Sequence, residues 1–133
     1  MNKVIFDVDG VLLSEKRYFD VSALTLWEWY NSPLYMGLSQ EPVRPDPTEE
    51  EIRYWKDDEI LQWLKGHGVN DNWDMVHAHI FVTLWLMLEQ YAATTGQIRR
   101  LSFDTLRGVR LAGIFLRNCD MPTAGDVLDV LKD

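Results

Sequence analysis

Apolar positions recur with helical spacing along most of the chain. Phe19, Ala23, Leu26, Trp27 and Tyr30 follow one another at three- and four-residue steps and predict an amphipathic helix that ends at Asn31-Ser32-Pro33. Residues 34–47, with three prolines and a glycine, read as a loop. Thr48 is placed to cap a second helix, with Glu51 at the capping-box position and Ile52, Trp55, Ile60, Trp63 and Leu64 on its buried side, up to a stop at Gly66-His67-Gly68. Asp71 caps a third helix. Val76, Ile80, Leu84, Met87, Leu88 and Tyr91 form its main stripe, and Phe81, Trp85 and Leu86 widen it almost to the full circumference, as expected of a helix at the centre of a bundle. Ser102 starts a fourth helix with Leu106, Val109, Gly113 and Leu116 on one side, and Val127, Leu128 and Leu131 mark a short last one.

One segment breaks this pattern. Lys3 to Val8 is short, rich in Val, Ile and Phe, and followed by Asp9-Gly10, so it reads as a buried strand entering a turn. A lone strand leaves both edges unpaired. Either its partners come from elsewhere, from another copy or from a missing C-terminal segment, or the segment is not a strand here. The fold class expected is therefore mainly α: one N-terminal β-strand and a helical bundle.

Composition narrows the setting. With 133 residues the chain suits one hydrophobic core. The single cysteine, Cys119, excludes an intramolecular disulfide and fits a reducing, cytoplasmic setting. The most apolar stretch, Ile80 to Leu88, is far short of the roughly 20 residues a bilayer span needs, so no membrane is expected. A net charge of −8 disfavours nucleic acid and anionic membranes. Against that background Arg99, Arg100, Arg107, Arg110 and Arg117 form a local basic segment, which either packs beside acidic helices or faces an anionic substrate.

The candidate chemistry lies at the end of the strand. Asp7 and Asp9 are two residues apart, and Gly10 allows the sharp turn that lets both carboxylates converge beyond the strand's carboxyl end, where open α/β sheets place ligands. One carboxylate there can attack phosphorus, a second can act as acid and base, and magnesium suits two carboxylates beside a phosphate. By spacing alone, an acidic turn remains an equal reading. A calcium loop does not fit, because Gly10-Val11-Leu12-Leu13 lacks further acids.

The run Val4-Ile5-Phe6-Asp7-Val8-Asp9-Gly10-Val11-Leu12 resembles the first motif of the haloacid dehalogenase-like (HAD) hydrolases. Pro122, Gly125-Asp126-Val127-Leu128 and Leu131-Lys132 resemble, more loosely, the segment by which members with a helical cap rejoin the core. The resemblance implies an Asp7 nucleophile that also binds magnesium, and an Asp9 acid/base that binds the metal through its carbonyl. It implies an α/β (Rossmann-like) core whose sheet is incomplete in this chain, and divides the chain into a first strand and nucleophile loop (1–13), a helical cap (14–100) and a helical return to the core (101–133). It implies a magnesium-dependent phosphatase acting on a small phosphorylated compound through an aspartyl-phosphate. Because the later motifs with Ser or Thr, Lys and an acidic pair have no counterpart, the expectation is a truncated N-terminal portion, inactive alone and with weak or absent magnesium binding. The alternative is a non-catalytic helical module for protein–protein interaction.

Other conspicuous residues have plainer readings. Asp57-Asp58 is a solvated helix face. His77 and His79 point apart on a helix and cannot share a metal. Cys119 reads as an ordinary thiol. Trp27, Trp55, Trp63 and Trp85 fit core faces, whereas Trp29 and Trp73 sit off the main stripes and are the better candidates to line a pocket.

Overall fold

The computed structural model describes residues 15–39, 43–97 and 101–133, with side chains from residue 19 onward. Among these residues the elements are six helices: α1 (Glu15–Asn31), α2 (Pro47–Trp55), α3 (Glu59–Gly66), α4 (Asn72–Thr95), α5 (Leu106–Leu116) and α6 (Ala124–Lys132). Helix α1 packs against α2 and α4, α6 closes against the same two helices, and α5 joins α4.

The stripe read on α1 is the one it buries: Phe19, Ala23, Leu26 and Tyr30 all lie in the core. They meet Trp55 of α2, Ile60 and Leu61 of α3, Met87 of α4, Leu116 of α5 and Val127 of α6 in one cluster. Asp71 caps α4 as expected, accepting from the Trp73 and Asp74 amides. Helix α2 starts earlier than expected. Asp46, not Thr48, is its cap, accepting from the amides of Thr48 and Glu49, with Pro47 in the first turn where its missing N–H costs nothing. Likewise Thr105, not Ser102, caps α5 through the Gly108 amide.

The single helix expected from Thr48 to Leu64 is two. Lys56 and Asp57 both take the left-handed conformation, at φ 55° and 61°, which costs about 1–2 kcal/mol per non-glycine residue. Core packing explains the break. Trp55 and Ile60 are both fully buried, yet five residues apart on one continuous helix they would point about 140° apart. The kink re-aims α3 so that both reach the same core.

The α/β expectation is corrected. No strand occurs among the described residues, so they hold no sheet onto which a Rossmann-like core could be built. The segment at 122–132, expected as a short helix leading back toward such a core, is a helix that packs onto the bundle. Thr123 accepts from the Asp126 amide while the Asp126 carboxylate accepts from the Thr123 amide, and this reciprocal cap starts α6. Helix α6 then buries Val127 and Leu128 against its neighbours. The predicted strand at 3–8 lies outside the described residues.

Helix α5 approaches unusually closely. A Cβ on Gly113 would lie 1.7 Å from the Met36 carbonyl oxygen, so only glycine lets the α5 backbone rest on the turn after α1. The Arg110 guanidinium donates to the Leu34 carbonyl at 3.1 Å in the same contact. At least this member of the basic segment therefore serves packing.

Candidate interaction site

Helix α4 is apolar nearly all the way round, but the bundle covers only part of it. Its buried side carries Met75, Val76, His79, Val82, Thr83 and Met87. On the other side Trp73, His77, Phe81 and Trp85 follow at four-residue steps, which puts them along one ridge. Trp73, Phe81 and Trp85 are 66%, 69% and 55% exposed. Trp85, read from sequence as a core residue, is thus a surface residue.

Beside this ridge runs a groove of about 600 Å³. Its α4 wall comprises Trp73, Val76, His77, Ile80, Phe81 and Leu84. Thr25, Glu28 and Trp29 of α1 form the opposite wall, and Tyr35 and Phe103 complete it. Trp29 and Tyr35 support each other, with ring centroids 5.7 Å apart and planes tilted by 30°. The Thr25 hydroxyl is already committed to the Val21 carbonyl at 2.8 Å. The Trp29 indole N–H is buried without an acceptor. Trp29 and Trp73 therefore line a pocket, as their off-stripe positions suggested.

Behind the groove, a buried polar cluster locks α1, α2 and α4 together. His79 Nε2 lies 3.0 Å from the Tyr54 carbonyl oxygen, which can only accept, so Nε2 carries the proton. Nδ1 then accepts from the Tyr30 hydroxyl at 3.0 Å, with the Thr83 hydroxyl at 3.3 Å. The Trp55 ring closes over the imidazole edge-on at 5.1 Å. Burial pushes the His79 pKa down to about 4 and the Tyr30 phenol well above its ordinary range. Both imidazole nitrogens are committed and the residue is sealed from solvent, so His79 is a structural pin and not a general base. His77 lies on the exposed side, and the two histidines share no site.

The other candidates fall out as follows. Asp7 and Asp9 lie outside the described residues, as do Arg99 and Arg100. Among the described residues no three His, Cys, Asp or Glu side chains come together to hold a metal. Asp57 and Asp58 are exposed at the α2–α3 break. Trp63 stacks on His67 at 3.9 Å, and the Cys119 thiol points to the Met87 carbonyl, its pKa raised first by burial and then by the Asp120 charge.

No protein-family model and no curated protein matches the sequence. A solved structure does: the X-ray structure of a Northeast Structural Genomics Consortium target aligns over 90% of this chain with 28% identity and a TM-score of 0.62. This chain spans only 33% of that one. The helical arrangement is thus similar to one found inside a considerably longer protein.

These findings overturn the HAD reading. The similarity falls on a helical unit whose described residues contain neither a sheet nor a metal-holding cluster. An aspartyl-phosphate hydrolase needs both a rigid α/β crevice and a metal shell to stabilise the transferred group. The magnesium-dependent phosphatase, its aspartate nucleophile and its small phosphorylated substrate are not supported by this architecture. What sequence reasoning missed is the ridge: Trp73 stands out as a pocket candidate, but Phe81 and Trp85, eight and twelve residues further on along the same row, were counted with the core-facing stripe of α4.

Among the described residues, no helix is long and apolar enough to cross a membrane.

Proposed function

We propose that this chain is a non-catalytic helical module for protein–protein interaction, docking its partner on the aromatic ridge of α4. The observation that carries the proposal is the exposure of Trp73, Phe81 and Trp85 on one ridge beside an apolar groove. At these exposures the three side chains offer roughly 400 Å² of apolar surface, within the range of the largest patch on an ordinary monomer, which is often functional. Tryptophan is also the residue type most often found at energetic centres of interfaces.

The occupant is a segment of another protein that presents apolar side chains on a basic background. Net charge supports this choice: at −8 a second copy would be repelled, whereas a cationic segment is attracted. With a matching partner face the buried total comes to roughly 800 Å², below the range of stable specific complexes, so the complex proposed is a weak, transient one. A cytoplasmic setting belongs to the same proposal and is supported by the free thiol of Cys119.

The test is selection of displayed peptides on the wild-type protein, followed by affinity measurement on a Trp73→Ser/Phe81→Ser/Trp85→Ser variant. Selected peptides should be apolar and basic and should weaken at least about tenfold on the variant. Peptides that bind both proteins equally, or that show no basic bias, would refute the proposal.

A further inference from the structure

The groove beside the ridge has a chemistry of its own. Its aromatic members arrive from separate parts of the chain: Trp29 from α1, Tyr35 from the turn after it, Trp73 and Phe81 from α4, and Phe103 from the segment before α5. Among the residues lining it none is a lysine or arginine, and its one carboxylate is that of Glu28, on an exposed side chain.

An aromatic face is electron-rich and attracts a cation, the more strongly when the pair is shielded from water. A carboxylate beside such faces adds coulombic attraction for any cation, and a charge-assisted hydrogen bond where the cation carries an N–H. An anion would be repelled by Glu28 with no lysine or arginine in the lining to offset it, and a purely apolar ligand would make no use of that charge. We infer that the groove is a recognition site for an organic cation, an ammonium or guanidinium group on an apolar stem, delivered as a basic side chain of the docked segment. The volume of about 600 Å³ has room for such a stem and its neighbours. This inference rests on the interaction reading above and gives that partner its anchoring group.

Two kinds of probe test it. Choline and its neutral isostere 3,3-dimethylbutan-1-ol are titrated against the protein, following the tryptophan indole N–H signals by NMR. Choline should bind about fivefold or more tightly than the alcohol. Glu28→Gln should weaken choline about threefold or more, and Phe81→Leu should weaken choline while leaving the alcohol nearly unchanged. In the second arm, a selected docking peptide has its basic residues replaced one at a time by norleucine. One replacement should cost at least about tenfold on wild type and far less on the Glu28→Gln protein.

Equal binding of choline and the alcohol, or indifference to Glu28→Gln, would overturn the cation site. Peptides that bind regardless of norleucine would overturn it too, yet leave the interaction reading standing. If choline binds as described but no peptide is selected, the interaction reading fails and the site takes a free organic cation.

Discussion

The Tyr30 hydroxyl donates to His79 Nδ1 at 3.0 Å, and that buried bond holds α1 to α4. Because Nε2 of the same ring donates to the Tyr54 carbonyl, the imidazole is fixed as one neutral tautomer. Replacing Tyr30 by Phe leaves Nδ1 with only the longer contact to Thr83. The expected loss is about 1–2 kcal/mol, read as a lower denaturant midpoint with unchanged slope.

The same ring sets a pH dependence. The folded-state pKa of His79 is depressed to about 4, against an ordinary value of 6.5. Protons therefore bind the unfolded chain more readily, and stability falls as pH drops from about 6.5 toward 4, by roughly 3 kcal/mol when protonation is complete. Glu50 works the other way. Its carboxylate is buried, and burial raises its pKa despite the Arg53 partner. Falling pH therefore relieves Glu50 while it penalises His79. Urea unfolding of wild type and His79→Gln between pH 7 and pH 4.5 separates the two, since the drop should flatten or reverse in the variant. Parallel curves for both proteins would show that His79 is not the titrating group.

Packing of α5 gives a steric prediction. Gly113→Ala drives a methyl into the Met36 carbonyl, which is backbone and cannot swing aside. The helix has to move off the turn and surrender the Arg110–Leu34 bond, at a cost of at least about 2 kcal/mol. Gly125→Ala is the control. Its nearest neighbour would be the Thr123 hydroxyl at 3.6 Å, an ordinary contact, and alanine favours the helix by up to about 1 kcal/mol. Thermal melts of the two variants should move in opposite directions.

These contacts mark where the sequence could be read and where it could not. The apolar spacing of α1 and the Asp71 cap are local signals, and both are realised in the fold. The core face of α4 was legible only in part: Val76, Leu84 and Met87 are buried as expected, but two of its central members, His79 and Thr83, are polar. Only the partners Tyr30 and Tyr54, 49 and 25 residues away from His79, make their burial favourable. The break at Lys56-Asp57 was hidden for a similar reason: aspartate tolerates the left-handed conformation but nothing local favours it for lysine, and the demand comes from burying Trp55 and Ile60 together. The α/β reading rested on a short motif at 4–12 and a loose echo near the other end. Helix-capping chemistry at Thr123 and Asp126 accounts for part of that echo without any sheet.

The sharpest prediction concerns neighbours on α4. Phe81 and Val82 are adjacent, so they point about 100° apart on the helix, and their exposures are 69% and 6%. If α4 meets the core on one side and a partner on the other, the two residues carry separable tasks. Val82→Ala should cost roughly 1–3 kcal/mol of stability, because it removes methyl groups from a packed site. Phe81→Ser should change stability by no more than about 0.5 kcal/mol, yet weaken a docked basic peptide about tenfold. The reciprocal readouts matter more than either magnitude: unfolding curves should register Val82 and binding curves should register Phe81. Were Phe81→Ser to unfold the chain as readily as Val82→Ala, the ridge would be part of the core after all, and the interaction face would have to lie elsewhere.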